Sequence, residues 1–354
     1  MRRPEFSHAP VDLVDLTGWP SEEWDDLAVR SPAGHPFQSV AWGELKAAQG
    51  WAISRLAVRG PQGWLAVASL QERRLGPWSL LYVPRGPILL ADPAVAAPAA
   101  LAALAGAARQ KRAIALTIDP LWDEAMTPLL AAAGFVPAPR PVQVSRTAMV
   151  VPVDPDPADQ HRRLRKSTAN LINRARRHGI TVERLGPGVD DQALMDAWDL
   201  LAATARREGI VLRGRGYQIH QWRLLLAAGH ADLWFAGRQG RRDVVAVTLH
   251  CGRLLHLFQA GSADDADLGE TAANHLLQWE ILRWAAGAGF AEYDLGGVDT
   301  PRAPGIPGGP EHPLWNLYLF KRGFGARPRL FVPAHEAGMG GPLRWLWRFV
   351  RRRR

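Results

Sequence analysis

The chain has 354 residues, enough for two domains that each bury a core of their own. Hydrophobic residues make up 47% and charged residues 22%, a balance that excludes a disordered or fibrous chain. Its formal charge of +9 arises from 43 Lys and Arg against 34 Asp and Glu, which favours anionic partners: nucleic acid, phosphate-bearing substrates or the inner membrane face.

Only four of the cations are lysines (Lys46, Lys111, Lys166 and Lys321), so arginine abundance by itself carries little weight. The single cysteine, Cys251, has no internal partner and sits in VVAVTLHCG, which reads as a buried strand. The N-terminal stretch MRRPEFSHAPVDLVDL lacks the apolar run of a signal peptide, and no segment resembles a membrane span. A cytoplasmic protein is expected.

The first half opens with a strand over Val11–Leu16 and helices over Ser21–Arg30 and Ser39–Gln49. Apolar runs at Ile53–Arg59, Trp64–Leu70 and Trp78–Val83 follow, separated by turn residues at Gly60–Gly63 and Gly76–Pro77, and predict an antiparallel meander. An alanine-rich helix (Ala94–Gln110), a strand (Ala113–Ile118), a helix (Trp122–Ala133) and a strand (Val142–Val153) complete it. The second half repeats the order. Helices over Asp191–Glu208 and Gly216–Ala228 precede strands at Leu233–Gly237, Val244–His250 and Leu254–Gln259, then a helix (Glu270–Ala288) and a strand (Ala291–Leu295). Meander, helix and single strand thus occur twice, the order of an acetyltransferase-like (GNAT) unit.

Between the copies, DPADQHRRLRKSTANLINRARRHGI has helical periodicity, with Leu164, Leu171, Ile172 and Ala175 on one face and cations on the other. Two readings stay open for it: a solvated surface helix, or a groove for RNA or phosphate. The tail GGPLRWLWRFVRRRR interleaves Trp345, Leu346, Trp347 and Phe349 with arginines, as a segment lying on an anionic membrane or a disordered basic tail would.

An acyl-CoA enzyme of this fold carries a glycine-rich loop whose amides wrap a pyrophosphate. The corresponding segments are GPILLADPAVAA and GSADDADLGET; neither has that spacing, and Asp264, Asp265 and Asp267 would repel the anion. No HExxH, CxxC, GxSxG or GxxxxGK[ST] motif occurs, and the histidines lack metal-ligand spacing.

FQSVAWGELKAAQGW, TIDP, LRKSTANLINRARRHGITVE, LFQAGS, LLQWEILRWAAGAGFAEYDLGG and LWNLYLFKRGFGA together resemble, in this order, the Fem family. Its members move an amino acid from aminoacyl-tRNA onto the stem peptide of a peptidoglycan precursor. The resemblance runs from about Phe37 to Pro333. It implies an α+β fold of two fused GNAT-like domains with mixed sheets flanked by helices. Residues 1–150 would form the first, completed by 322–336, and 151–321 the second, with 337–354 a basic tail. The interval from Gln218 to Leu233 is too short for the long helical arm of some members.

The resemblance also assigns residues. Lys46 matches the lysine on the precursor's diphosphate, and Arg213 and Tyr217 match second-domain groups holding the same substrate. Lys321, after Phe320 at the tRNA end, matches a lysine placed to stabilise the oxyanion formed on amine attack. Asp119 in TIDP matches a carboxylate that would take a proton from the acceptor ammonium, though Asp before Pro also suits a turn. Asp294 in YDLGG is read as ordering the following Gly-Gly turn. His256 and Phe258 stand where the family often has tyrosines, which puts substrate contacts from that strand in doubt. No cofactor and no metal are implied; the partners are aminoacyl-tRNA and a lipid-linked or UDP-linked precursor, with peripheral contact at the inner membrane face. Lys46 falls in the first copy and Arg213 and Tyr217 in the second, so neither half is expected to work alone. An acyl-CoA-dependent N-acyltransferase and a non-catalytic binder of RNA or anionic membrane remain the alternatives.

Overall fold

The computed structural model describes residues 11–139, 142, 146–264, 267–300 and 303–338. The chain divides into two compact units, Met1–Gln143 with Phe331–Arg354, and Val144–Leu330. Seven strands belong to the first unit before the chain leaves it: β1 (Asp12–Asp15), β2 (Ala52–Gly60), β3 (Gly63–Leu75), β4 (Trp78–Val83), β5 (Ile88–Leu89), β6 (Ala113–Ile118) and β7 (Val136–Pro137). The second unit holds β8 (Thr147–Pro152), β9 (Thr181–Leu185), β10 (Ala231–Gly237), β11 (Val244–Cys251), β12 (Leu254–Ser262), β13 (Glu292–Gly297) and β14 (Arg327–Leu330). β15 (His335–Gly338) then rejoins the first.

The sheets match position by position. One runs β1-β2-β3-β4-β6-β15-β7, with β5 on β3; the other runs β9-β10-β11-β12-β13-β8-β14. In each, a single parallel pair (β4 with β6, β12 with β13) interrupts antiparallel neighbours. A parallel pair needs a crossover, and the helices Pro93–Gln110 and Ala273–Gly287 supply it. Asp92 caps the first of these by accepting from Ala94 N at 2.9 Å, and Pro93 fills the first helical position, where no amide donor is needed.

Each unit has its own core. In the first, Leu56, Leu70, Leu81 and Val83 pack on Leu101 and Leu104 of the crossover helix, while Trp24, Ala57, Val67 and Ile88 pack on the opposite face. In the second, Trp234, Ala246 and Leu255 meet Leu277 and Ile281, and Ile172 and Ala175 of the helix Lys166–Arg177 join them. Cys251 is buried at the end of β11, as its sequence setting suggests.

Three expectations shift. The strand placed at Val142–Val153 is β8, Thr147–Pro152, and it belongs to the second sheet, where β13 and β14 bond its two edges. The division therefore falls at 143/144 rather than at 150. The return to the first unit begins at Phe331, so the segment 322–330 stays in the second. The basic stretch forms two helices, Pro157–Arg162 and Lys166–Arg177, with Leu164 in the break between them. Of the segment 337–354, only 337 and 338 are described, and they belong to β15; the Trp/Arg-rich tail lies outside the described residues.

The helix Asp191–Glu208 lies so close to β12 that a Cβ on Gly261 would sit 2.7 Å from Leu200 O and Leu201 Cα, both backbone. Gly261→Ala is therefore expected to cost about 1–3 kcal/mol by forcing helix and strand apart. The urea midpoint of the second unit reads this, and an unchanged midpoint would rule out the tight approach.

Candidate functional site

In the second unit a cluster forms around Lys321. This lysine lies on the helix Trp315–Gly323 and is only 5% exposed. Glycine makes the placement possible at two points. A Cβ on Gly323 would overlap Thr168 Oγ1, so the helix end can seat against Lys166–Arg177, where Arg165 N donates to Gly323 O at 2.9 Å. Gly296, at φ +80°, turns β13 in the left-handed region, and a Cβ there would stand 3.5 Å from Lys321 Nζ. Lys321 Nζ donates to Gly297 O at 2.7 Å.

Beneath it lies a carboxylate and imidazole pair. Parallel pairing sets His256 of β12 beside Asp294 of β13, and His256 Nδ1 is 2.8 Å from Asp294 Oδ2. Asp294 Oδ1 accepts from Gly296 N at 2.7 Å, so this residue does order the glycine turn. Burial pulls the Lys321 ammonium down to about 8, and the Asp294 charge partly opposes the fall. Burial works to raise the Asp294 carboxyl, but His256, the Gly296 amide and Lys321 outweigh it and hold the group below its ordinary value. Phe320 packs edge-on to His275, with ring centres 4.9 Å apart. Burial, reinforced by Arg174, lowers His275 to about 4, so this imidazole is neutral at pH 7.

Arg213 and Tyr217 meet at the start of the helix Arg215–Ala227, the guanidinium 5.7 Å from the phenol ring centre. Burial raises the Tyr217 phenol while Arg213 opposes, so it stays a protonated donor. An amide network adjoins them in sequence: Gln259 Nε2 donates to Gln218 Oε1 (3.1 Å), and Trp222 Nε1 donates to Gln259 Oε1 (2.8 Å). The register between β11 and β12 slips at Val247/Thr248, passing over Phe258 as a bulge; Gln259 is therefore turned to the helix that carries Tyr217.

In the first unit, Lys46 lies on the helix Val40–Ala47 with Nζ 4.5 Å from the centre of the Trp42 ring, which stacks on Phe37 at 3.8 Å. Asp119 is buried past the end of β6; it accepts from Arg85 N (2.7 Å) and from Tyr82 Oη (3.1 Å). Tyr82 stands opposite Gln71, and Gln71 opposite Ile53, against which Gly43 of the Lys46 helix packs. Lys46 and Asp119 thus belong to one face of the first sheet. Two buried donors on or beside that face, Gln71 Nε2 and Arg85 Nε, have no hydrogen-bond partner among the described residues.

Phe320 and Lys321 share a turn of helix, and Lys321 joins the Asp294 cluster; Arg213 and Tyr217 form a second group, and Lys46 and Asp119 belong to the other unit. Four residues escaped the sequence reading as site components. His256 and Asp294 are 38 residues apart and meet only through strand pairing; Gln71 and Arg85 carry no motif at all. In the segment where a CoA loop would lie, Asp264 pairs with Arg207 at 2.6 Å. Among the described residues no group of three His, Cys, Asp or Glu is placed to hold a metal ion.

Residues 20–130 match the FemAB family, and residues 162–302 match the acetyltransferase (GNAT) domain. A lipid II:glycine glycyltransferase of Staphylococcus aureus (strain MRSA252) is 25% identical over 246 residues, 66% of this chain and 58% of that protein. The crystal structure of FemX superposes with a TM-score of 0.78 at 19% identity, covering 95% of this chain and 99% of that one. The resemblance to the Fem family holds. A tandem GNAT protein from the clavulanic acid biosynthesis pathway follows at TM-score 0.51 and 15% identity, over 94% of this chain and 99% of that one. Two fused GNAT-like domains are therefore the fold of this Fem-like chain. It spans well under two thirds of the length of the curated relative, 58%.

The Lys321 environment makes a prediction about pH. An unfolded lysine keeps its proton to about 10.5, whereas native Lys321 releases it near 8. Between those values the unfolded chain binds more protons, so native stability rises with pH. The unfolding free energy of the wild type, from urea titrations, should gain roughly 3 kcal/mol on that of Lys321→Met across this window. In Asp294→Asn, which lacks the charge that holds the proton on, the rise should begin at lower pH. A wild type and Lys321→Met that track each other in parallel would refute the buried ammonium.

Proposed function

We propose that the protein is an aminoacyltransferase that moves an amino acid from aminoacyl-tRNA to the side-chain amine of a peptidoglycan stem peptide, forming an interpeptide bridge. The observation that carries this reading is the buried Lys321, held by the Gly297 carbonyl beside Asp294 on a Fem-like scaffold. The likeness to a lipid II:glycine glycyltransferase and the FemAB match support it.

In this reading the neutral amine of the acceptor attacks the ester carbonyl of the charged tRNA. A new C–N bond forms, the ester C–O bond breaks, and the ribose oxygen leaves with a proton that the amine gives up. An ammonium has three donors; the Gly297 carbonyl occupies one, and two remain for the developing oxyanion. Desolvation strengthens that interaction, since the same charge in water would be screened. Asp294 keeps Lys321 protonated against the pull of burial, and a neutral Lys321 would be a poor oxyanion stabiliser. Asp119 is the proposed acceptor of the proton that the acceptor ammonium loses, before attack, to become the neutral amine; it already accepts two hydrogen bonds, and a carboxylate retains further lone pairs. Lys46, Arg213 and Tyr217 are the proposed contacts to the precursor, the two cations to its diphosphate. Covalent intermediate, cofactor and metal have no part in this scheme. Work at the cytoplasmic membrane face follows from a lipid-linked acceptor; among the described residues no helix is long and apolar enough to cross a membrane.

The GNAT match over residues 162–302 keeps an acyl-CoA donor as a second reading. Purified protein, charged tRNA and a UDP-linked stem peptide that contains lysine or ornithine should give a product heavier by an amino-acid residue. Lys321→Ala should lower kcat about 10²–10³-fold with a smaller change in KM. Mass gain from acyl-CoA without tRNA would move the assignment to the second reading, and no gain with any charged tRNA or precursor would sink the first.

A further inference from the structure

The helix Lys166–Arg177 is the most strongly charged element that the proposed chemistry leaves unused. Its apolar side is spent: Thr168, Ile172 and Ala175 are buried against the second unit's core. Its outer side is a stripe at helical spacing, Lys166, Asn170, Arg174 and Arg177, all exposed. None of the three cations in it has a carboxylate within salt-bridge distance among the described residues, whereas neighbours such as Arg163 and Arg176 are paired with Asp154 and Glu280. Three cations without a carboxylate partner thus line one face of one helix, and of these Arg174 also acts inward, helping to lower the His275 imidazole.

We infer that this stripe holds the double-helical acceptor arm of the donor RNA by its phosphates and leads its 3′ end to Lys321. The inference rests on the aminoacyl-tRNA reading above. Three observations favour it. The stripe begins beside the candidate catalytic helix, because Arg165 N bonds Gly323 O two residues past Lys321. Residues four apart on a helix lie about 6 Å from one another along its axis, so the stripe extends over about 17 Å, a ladder of cations rather than a point site. Asn170 sits among the cations and offers both a donor and an acceptor, which suits RNA, whose duplex is read by phosphate and 2′-hydroxyl contacts. An anionic membrane fits less well. A helix that lies on lipid inserts an apolar face, and here that face is already buried in protein.

The test is the triple variant Lys166→Gln, Arg174→Gln, Arg177→Gln, which keeps Lys321, Asp294, His256, Phe320 and His275 themselves and leaves the buried face intact. Binding of charged tRNA, by fluorescence anisotropy, should weaken 10- to 100-fold at low salt. The slope of log affinity against log salt should become shallower by about 2 to 3, one lost phosphate contact for each cation removed. Transfer should fall with full-length charged tRNA yet stay at the wild-type rate with a short aminoacylated 3′ oligonucleotide that lacks the stem. Unchanged affinity and salt slope overturn the inference. So does a variant that keeps its tRNA affinity but no longer binds phosphatidylglycerol vesicles, since the stripe is then a membrane surface. A wild type that transfers from neither donor refutes the transferase reading instead, independently of what the stripe does.

Discussion

A protonated amine in a protein interior has to be held by something, and the second unit is organised around how Lys321 is held. Its ammonium meets one main-chain carbonyl, that of Gly297, and one carboxylate field, that of Asp294. Each of these depends on glycine. Gly296 takes a left-handed turn that brings its own amide onto Asp294 and leaves room above for the ammonium. Gly323 lets the lysine's helix settle against the neighbouring one without a collision at Thr168. The motif YDLGG and the motif FKRGFG are therefore one device. The first shapes the socket and the second delivers the charge; a side chain at Gly323 would push the helices apart, and one at Gly296 would strain the left-handed turn.

The duplicated sheets explain why the domain boundaries were hard to place from the sequence. The strand following the crossover strand is bonded antiparallel to it in both units, β15 beside β6 and β8 beside β13. In chain order, however, β8 precedes the rest of the second unit and β15 follows it. The first unit's crossover strand is thus joined by a partner from far later in the chain, and the second unit's by a partner from far earlier. Hydrophobic patterning detects a strand at Thr147–Pro152 but carries no label for the sheet it enters. Only the ladder to Glu292–Gly297 decides that.

The same distinction runs through the candidate site. The meander and the crossover helices were legible, because alternation, Gly-Pro turns and helical runs of apolar residues act locally. Lys321 and Lys46 stood out because lysine is scarce in an arginine-rich chain and because the surrounding motifs resemble those of a family. The environment of Lys321 was not legible. Asp294 announced its bond to the glycine turn two residues on, and that bond exists, but its second oxygen faces His256, a residue placed by strand pairing. Where the family often has tyrosines, His256 engages the carboxylate, and the bulge at Phe258 turns Gln259 into an amide network with Gln218 and Trp222; sequence reading, which only put substrate contacts from this strand in doubt, could not see either arrangement. Short strands such as β7 and β14 escaped because two to four residues carry too little periodicity to register.

Charge is distributed in this unit by a simple physical economy. A buried ammonium is expensive, so the Lys321 cluster carries one, with a carboxylate to retain its proton and an imidazole to retain the carboxylate. Attraction for a large polyanion requires many charges at once, and these cost little only where water reaches them. The helix Lys166–Arg177 meets both demands by its two faces. Ile172 and Ala175 bind it into the core, which fixes its position relative to Lys321, while Lys166, Arg174 and Arg177 stay in solvent. Long-range attraction and short-range stabilisation are thereby assigned to different residues on adjoining helices. Salt screens the first strongly and the second weakly, because a Debye length of about 8 Å at physiological ionic strength separates exposed charges but hardly enters a buried site. Neutralising the stripe should thus mimic high salt, whereas altering Lys321 should not.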